Sequence, residues 1–246
     1  MFPVLFTLGG LAVPSYAVMM LLAFVVVGAV RRGELARLGH ERLPGYALVN
    51  VGALVGAAVG AKLGMILFEP PQTVADLLRL MLALDFTGKT VVGGIAGGYL
   101  GVELAKKAVG ITRRTGDGFA VALPLGQAIG RVGCFLNGCC YGSEWQGPWA
   151  VTMAGASRHP AQLYEAALDV LLALALWSMR LTPRPEGNLF RRYLVGYALI
   201  RFVLEPIRGD NGHVWMSLTL VQWACLGTML GFGAWIWRTE RPALGA

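Results

Sequence analysis

An all-α, multi-pass membrane protein is the fold class this sequence predicts, and three observations predict it. Of 246 residues 56% are hydrophobic and only 14% charged, with a mean hydropathy of +0.59, too apolar for a soluble domain of this length. Seven apolar stretches approach the ~20 residues that cross a bilayer as helix, near Tyr16–Val30, Tyr46–Phe68, Val91–Val109, Phe119–Phe135, Leu163–Leu181, Tyr193–Ile207 and Leu218–Trp237. The basic residues between them alternate. Fourteen Lys and Arg follow the first, third, fifth and seventh spans, against four in the other links. That asymmetry places the N-terminus outside and the C-terminus in the cytoplasm. It also accounts for most of the net charge of +7 without a nucleic-acid partner.

Each element has its own signal. No basic residue precedes the first span, while Arg31 and Arg32 follow it, the flanks of an uncleaved helix entering from outside. Thr73-Val-Ala-Asp76 ahead of Leu77, Leu78, Leu80, Met81 and Leu84 predicts a capped amphipathic helix at the outer interface, or a re-entrant or short buried one. Ser143–Pro160, with Trp145, Gly147, Pro148 and Trp149, is too polar to span and reads as an extracytoplasmic loop near the bilayer surface. Neither a repeat nor a linker divides the chain. Residues 1–246 are expected to form one membrane domain, with outer links near 70–90, 138–162 and 208–217.

The stretch Gly126–Gly142 is the densest in chemistry. Arg131 ends an apolar run, and an unpaired guanidinium in hydrocarbon costs roughly 3 kcal/mol or more, so such a residue usually faces a bundle interior. The surrounding Gly126, Gly130, Gly133, Gly138 and Gly142 permit close backbone approach. On the predicted topology Lys62, Arg131 and Arg201 with Glu205 lie in the middle or outer parts of outward-running spans, and Tyr16 starts the first span. Arg201 and Glu205 are four apart on one helical face, which Tyr197 and Arg208 extend. Arg208 by itself reads as an arginine snorkelling to the headgroups. Residues from four helices thus gather in the outer leaflet as a cationic, partly apolar pocket, suited to an anionic phospholipid headgroup. A transporter is disfavoured, since these residues cluster on one side rather than lining a path across.

These residues resemble the prolipoprotein diacylglyceryl transferase family. Its signature runs glycine-arginine-any-glycine-asparagine-phenylalanine-any-asparagine-glycine-glutamate, with a glycine three residues on. Here Gly130-Arg131-Val132-Gly133-Cys134-Phe135-Leu136-Asn137-Gly138-Cys139-Cys140-Tyr141-Gly142 matches except at two positions. Gly60-Ala-Lys-Leu-Gly64, Arg158-His-Pro-Ala-Gln-Leu-Tyr-Glu165, Tyr197-Ala-Leu-Ile-Arg-Phe-Val-Leu-Glu-Pro-Ile-Arg208 and Tyr16 are similar to further family stretches. The departures are Val92 where the family has a histidine, Cys134 for asparagine and Cys139 for glutamate.

The resemblance implies transfer of a diacylglyceryl group from phosphatidylglycerol to the lipobox cysteine of a prolipoprotein signal peptide, with glycerol phosphate leaving. That reaction needs a deprotonated thiol and a neutralised leaving phosphate. Arg131 and Arg201 suit the second task, because a guanidinium grips phosphate at two points. Glu205 then orients Arg201, and Tyr16 either donates to the ligand or anchors the helix at the interface. Catalytic roles therefore fall to Arg131, Arg201, Glu205 and Tyr16. Substrate binding falls to Lys62, Asn137, Gly142, Tyr197, Arg208 and His159, although His159 before Pro160 reads equally as structuring its loop. For Cys134, Cys139 and Cys140 the default is small apolar filler, then a disulfide, and last a metal, since adjacent cysteines sit awkwardly on one tetrahedral centre. No cofactor or metal is expected. The alternatives are a divergent paralogue with the same lipid pocket and a different acceptor, and a non-catalytic lipid-binding membrane protein.

Overall fold

The computed structural model describes residues 2–66, 73, 75–76, 91–208 and 214–240. It is helical apart from three two-stranded hairpins, and it divides into two compact units, Gly39–Arg113 and the remainder, Met1–Leu38 with Arg114–Ala246.

In the larger unit a hairpin of β1 (Val4–Leu8) and β2 (Leu11–Pro14) leads into α1 (Ser15–Leu38). A short helix α4 (Asp117–Ala120) precedes α5 (Ala122–Asn137). The hairpin β3 (Val151–Met153) and β4 (Ala156–Arg158) fills the polar link before α6 (Ala161–Met179). After α7 (Asn188–Leu204), the strands β5 (Val214–Trp215) and β6 (Leu218–Thr219) lead into α8 (Leu220–Glu240). The smaller unit pairs α2 (Tyr46–Ile66) with α3 (Val91–Val109).

Helices overlie the predicted stretches, and among the described residues five are long and apolar enough to cross a membrane: Ser15–Leu38, Tyr46–Gly64, Asp117–Asn137, Ala161–Met179 and Leu220–Glu240. Val91–Val109 carries Glu103, Lys106 and Lys107, and Asn188–Leu204 is 17 residues long with three arginines; charge and length hold these two short of that measure.

Two of the boundaries that differ from the sequence reading have a plain physical reason. Helix α1 runs two turns beyond Val30, because Glu34, 3% exposed, pairs with Arg37 at 2.6 Å and Arg180 at 3.5 Å, which makes a charged extension tolerable inside the unit. Helix α7 ends at Leu204 and tightens into a 3₁₀ turn, Glu205–Ile207, since Pro206 cannot continue an α-helix. Thr73 and Asp76 form the expected cap, with Asp76 N–H donating to Thr73 Oγ1 at 3.1 Å; residues 77–84 of that expected helix lie outside the described residues.

Small residues set the packing. A Cβ placed on Gly56 would meet the Gly97 carbonyl oxygen at 2.3 Å, and one on Gly101 the Gly52 oxygen at 2.0 Å. The α2 and α3 backbones therefore touch, as in glycine-spaced membrane helix pairs. In the larger unit Gly126 and Gly133 of α5 take Val27 and Met19 of α1 at 2.4 and 2.9 Å from the same virtual atom. Asp117 locks the other end: it accepts from the Gly187 and Phe190 N–H groups at 2.7 and 2.8 Å, satisfying the open start of α7.

Candidate active site

Close packing of α1, α5, α6 and α7 brings the polar residues of their apolar spans to one place. At its centre is Glu165, 2% exposed, in the first turn and a half of α6. Its Oε1 takes Arg131 Nη2 of α5 at 2.8 Å, and its Oε2 takes Arg201 Nη1 of α7 at 3.5 Å, with Arg208 Nη1 at 4.0 Å. The Tyr197 hydroxyl donates to Oε1 at 3.5 Å. Arg201 also pairs with Glu205 at 3.0 Å, the partner its spacing predicts, and Thr219 Oγ1 donates to Glu205 Oε1 at 3.2 Å. Three guanidiniums facing two carboxylates leave this cluster a net +1. Each guanidinium still exposes 11 to 13% of its side chain.

Snorkelling does not describe Arg208. It turns toward Glu165, and its backbone bridges Gly142. Gly142 is required by space: a Cβ there would meet His159 Cβ at 2.7 Å and the Ile207 oxygen at 2.8 Å. Hydrogen bonds on both sides, Gly142 N–H to His159 O at 2.9 Å and Ser143 N–H to Ile207 O at 2.7 Å, tie the loop after α5 to the end of α7.

His159 stacks on Trp145 with ring centroids 4.3 Å apart, and its Nδ1 shares a hydrogen bond with the Tyr164 hydroxyl at 3.2 Å. Tyr16 is half-buried on α1 with its ring edge 3.4 Å from the Cβ position of Gly133, within electrostatic range of Arg131 and the three clustered cysteines. Asn137 is exposed at the end of α5. Lys62 is half-buried on α2, in the other compact unit.

The sequence alone assigns no role to two carboxylates. Glu165 closes the Arg158–Glu165 stretch, and Asp169, one turn on, is fully buried with neither oxygen accepting a hydrogen bond among the described residues. The available signal was two acids four apart at the start of an otherwise apolar span, which hydrocarbon tolerates only against partners. All four cysteines are free thiols, and the sulfurs of Cys134, Cys139 and Cys140 lie within 4.8 Å of one another.

A model of the prolipoprotein diacylglyceryl transferase family matches residues 3–238. The chain belongs to this family. Among relatives named phosphatidylglycerol–prolipoprotein diacylglyceryl transferase, it is 34% identical to that of Aromatoleum aromaticum, the match covering 91% of this chain and 90% of the relative. It is 32% identical to that of Bordetella avium, with 93% and 91% covered, and 32% identical to that of Chlorobaculum tepidum, with 97% and 90% covered. As a member of this transferase family with several membrane-spanning helices, the chain is a multi-pass membrane protein, and Arg131 and its partners lie in the stretch that carries the family signature.

Proposed function

We propose that this chain transfers the diacylglyceryl group of phosphatidylglycerol to the lipobox cysteine thiol of a prolipoprotein, at the outer face of a bacterial inner membrane. It does so as a single membrane domain with seven spans, the N-terminus outside and the C-terminus cytoplasmic. The observation that carries this is the convergence of Arg131, Arg201 and Arg208 on Glu165. Three arginines that outnumber their two carboxylate partners, in a partly open cluster, suit a phosphodiester of charge −1.

The chemistry follows from that match. A thiolate sulfur forms a bond to the glycerol carbon bearing the phosphate ester, the C–O bond breaks, and glycerol phosphate departs with the electron pair. Negative charge on the phosphate grows toward −2 as it leaves. Guanidinium donors already fixed by Glu165 and Glu205 meet that charge without reorganising, in a site that water reaches poorly. Arg131 and Arg201 are the phosphate donors; Tyr197, Glu165 and Glu205 position them. Arg208 and Gly142 hold the loop against α7, while Lys62, Asn137 and His159 are assigned to the lipid or peptide, and Tyr16 to a hydrogen bond with the reacting groups.

The test is incubation of purified protein with phosphatidylglycerol and a lipobox peptide, read by peptide mass. A gain equal to one diacylglyceryl group is expected. An unchanged peptide, with phosphatidylglycerol still bound, would replace this function by the paralogue reading, which the departures at Val92, Cys134 and Cys139 favour. Val92→His with Cys134→Asn and Cys139→Glu restores the residues of the family pattern and is expected to raise transfer if the chain is a weakened enzyme of the family's own reaction.

A further inference from the structure

The three thiols at the end of α5 are brought together by backbone geometry, not by sequence spacing. Gly138 takes a left-handed conformation, φ 77°, and stops the helix with its N–H on the Cys134 and Phe135 carbonyls. Cys139 N–H then donates to the Cys134 carbonyl at 3.1 Å. Cys140 is left-handed in turn, φ 62°, a conformation that a residue with a Cβ keeps only where its surroundings impose it. With that twist the adjacent side chains point to one side, and the Cys139 and Cys140 sulfurs lie 3.7 Å apart. Gln162 Nε2, from buried Gln162 on α6, donates to the Cys139 carbonyl at 2.5 Å and fixes the turn.

The Cys139–Cys140 separation is that of a metal site, and the Cys134 sulfur lies close by. A zinc ion about 2.3 Å from each thiolate holds its sulfurs about 3.8 Å apart in a tetrahedron, and all three sulfurs here fall within 4.8 Å of one another. Each cysteine is only half-buried, so a fourth ligand can approach. Glu165 and Glu205 hold arginines, and His159 is stacked and hydrogen-bonded, so all three are engaged elsewhere than on a thiol.

We propose that Cys134, Cys139 and Cys140 bind one zinc(II) ion as thiolates and present its fourth position to the acceptor thiol. This rests on the transfer function proposed above and supplies its nucleophile. The incoming R–SH displaces water from zinc and releases its proton to solvent, as thiol coordination requires. The zinc-bound thiolate sulfur then forms the C–S bond as the C–O bond breaks and the electron pair leaves on phosphate. The product thioether is neutral, a weaker ligand than a thiolate, and water replaces it. No electron transfer is involved.

Cobalt(II) substitution of the full chain, purified in detergent under reductant, tests the site without relying on turnover. One cobalt per chain is expected, with the thiolate-to-cobalt charge-transfer bands and strong d–d bands of a tetrahedral sulfur-rich centre, displaced by one equivalent of zinc. Cys139→Ser and Cys140→Ser should each weaken binding at least tenfold, while Cys225→Ser keeps the stoichiometry. Since the native spectrum itself reports sulfur ligation, a variant that fails to fold does not decide the matter. A lipobox peptide should shift the d–d bands, and its Cys→Ser counterpart should not. Failure of the reduced protein to take up either ion, or a mass showing the cluster closed as a disulfide in active protein, would overturn the site. Undiminished transfer after chelation would overturn the activating role while leaving the transfer function intact. Metal and peptide binding without any transfer would do the reverse.

Discussion

At the scale of single residues, one carboxylate holding three guanidiniums decides what substitutions do. Arg131→Ala and Arg201→Ala should each lower transfer about a thousandfold or more, because an uncompensated leaving phosphate in a water-poor site costs several kcal/mol. The mass-spectrometric transfer assay measures this, and retention of a tenth of the native rate would remove either arginine from phosphate stabilisation. Glu165→Ala has a different signature. With its carboxylate gone, three close guanidiniums face one another across a buried site, and breaking such a pair costs about 3 kcal/mol or more. Thermal unfolding in detergent should fall by many degrees, and a melting point within a degree of native would show that the cluster does not depend on this residue. Glu165 also shows what residue-level reading leaves out. Its motif was visible, yet only the packing of α6 between α5 and α7 turns that acid toward Arg131 and Arg201.

Helix pairs fail or hold according to which glycines face a partner. Gly97→Val in α3 would drive a branched side chain into the Gly56 oxygen, 2.3 Å from its Cβ, and overpacking of this kind costs about 1–3 kcal/mol. Gly28→Ala in α1, with nothing within 4 Å of the added atom, should be neutral or stabilise by up to about 1 kcal/mol through helix propensity. Equal effects in a thermal-stability assay would mean that the α2–α3 approach is looser than described. Asp117→Ala removes the acceptor for two N–H groups at the start of α7, and unsatisfied buried donors cost about 1–3 kcal/mol. Amide exchange at Gly187 and Phe190 should accelerate before global stability changes, and unchanged protection there would count against the cap.

For the whole molecule, topology is the property the charge pattern addresses most directly. A C-terminal reporter active only in the cytoplasm should be active, one active only in the periplasm silent, and cysteine labelling at Ala154, in the exposed β3–β4 turn, should proceed from outside. The reverse pattern would invert the orientation and move the arginine cluster to the wrong leaflet for a secreted acceptor.

Length, composition and the alternation of apolar runs with basic links determined the helical membrane class and the positions of the helices, because hydrocarbon imposes internally satisfied backbone and ~20-residue spans whatever the partners. Local spacing likewise determined the Arg201–Glu205 pair and the Thr73–Asp76 cap, since both depend on contacts three or four residues apart. Tertiary structure alone decided the rest. Glu165 became the hub only when α5, α6 and α7 met. Arg208 turned inward because Gly142 let the loop close on α7. Cys134, Cys139 and Cys140 converged through two left-handed residues. A one-dimensional pattern records which side chains a helix carries; which of them face each other is fixed by close approach between distant segments, where the glycines and the buried charges settle the geometry together.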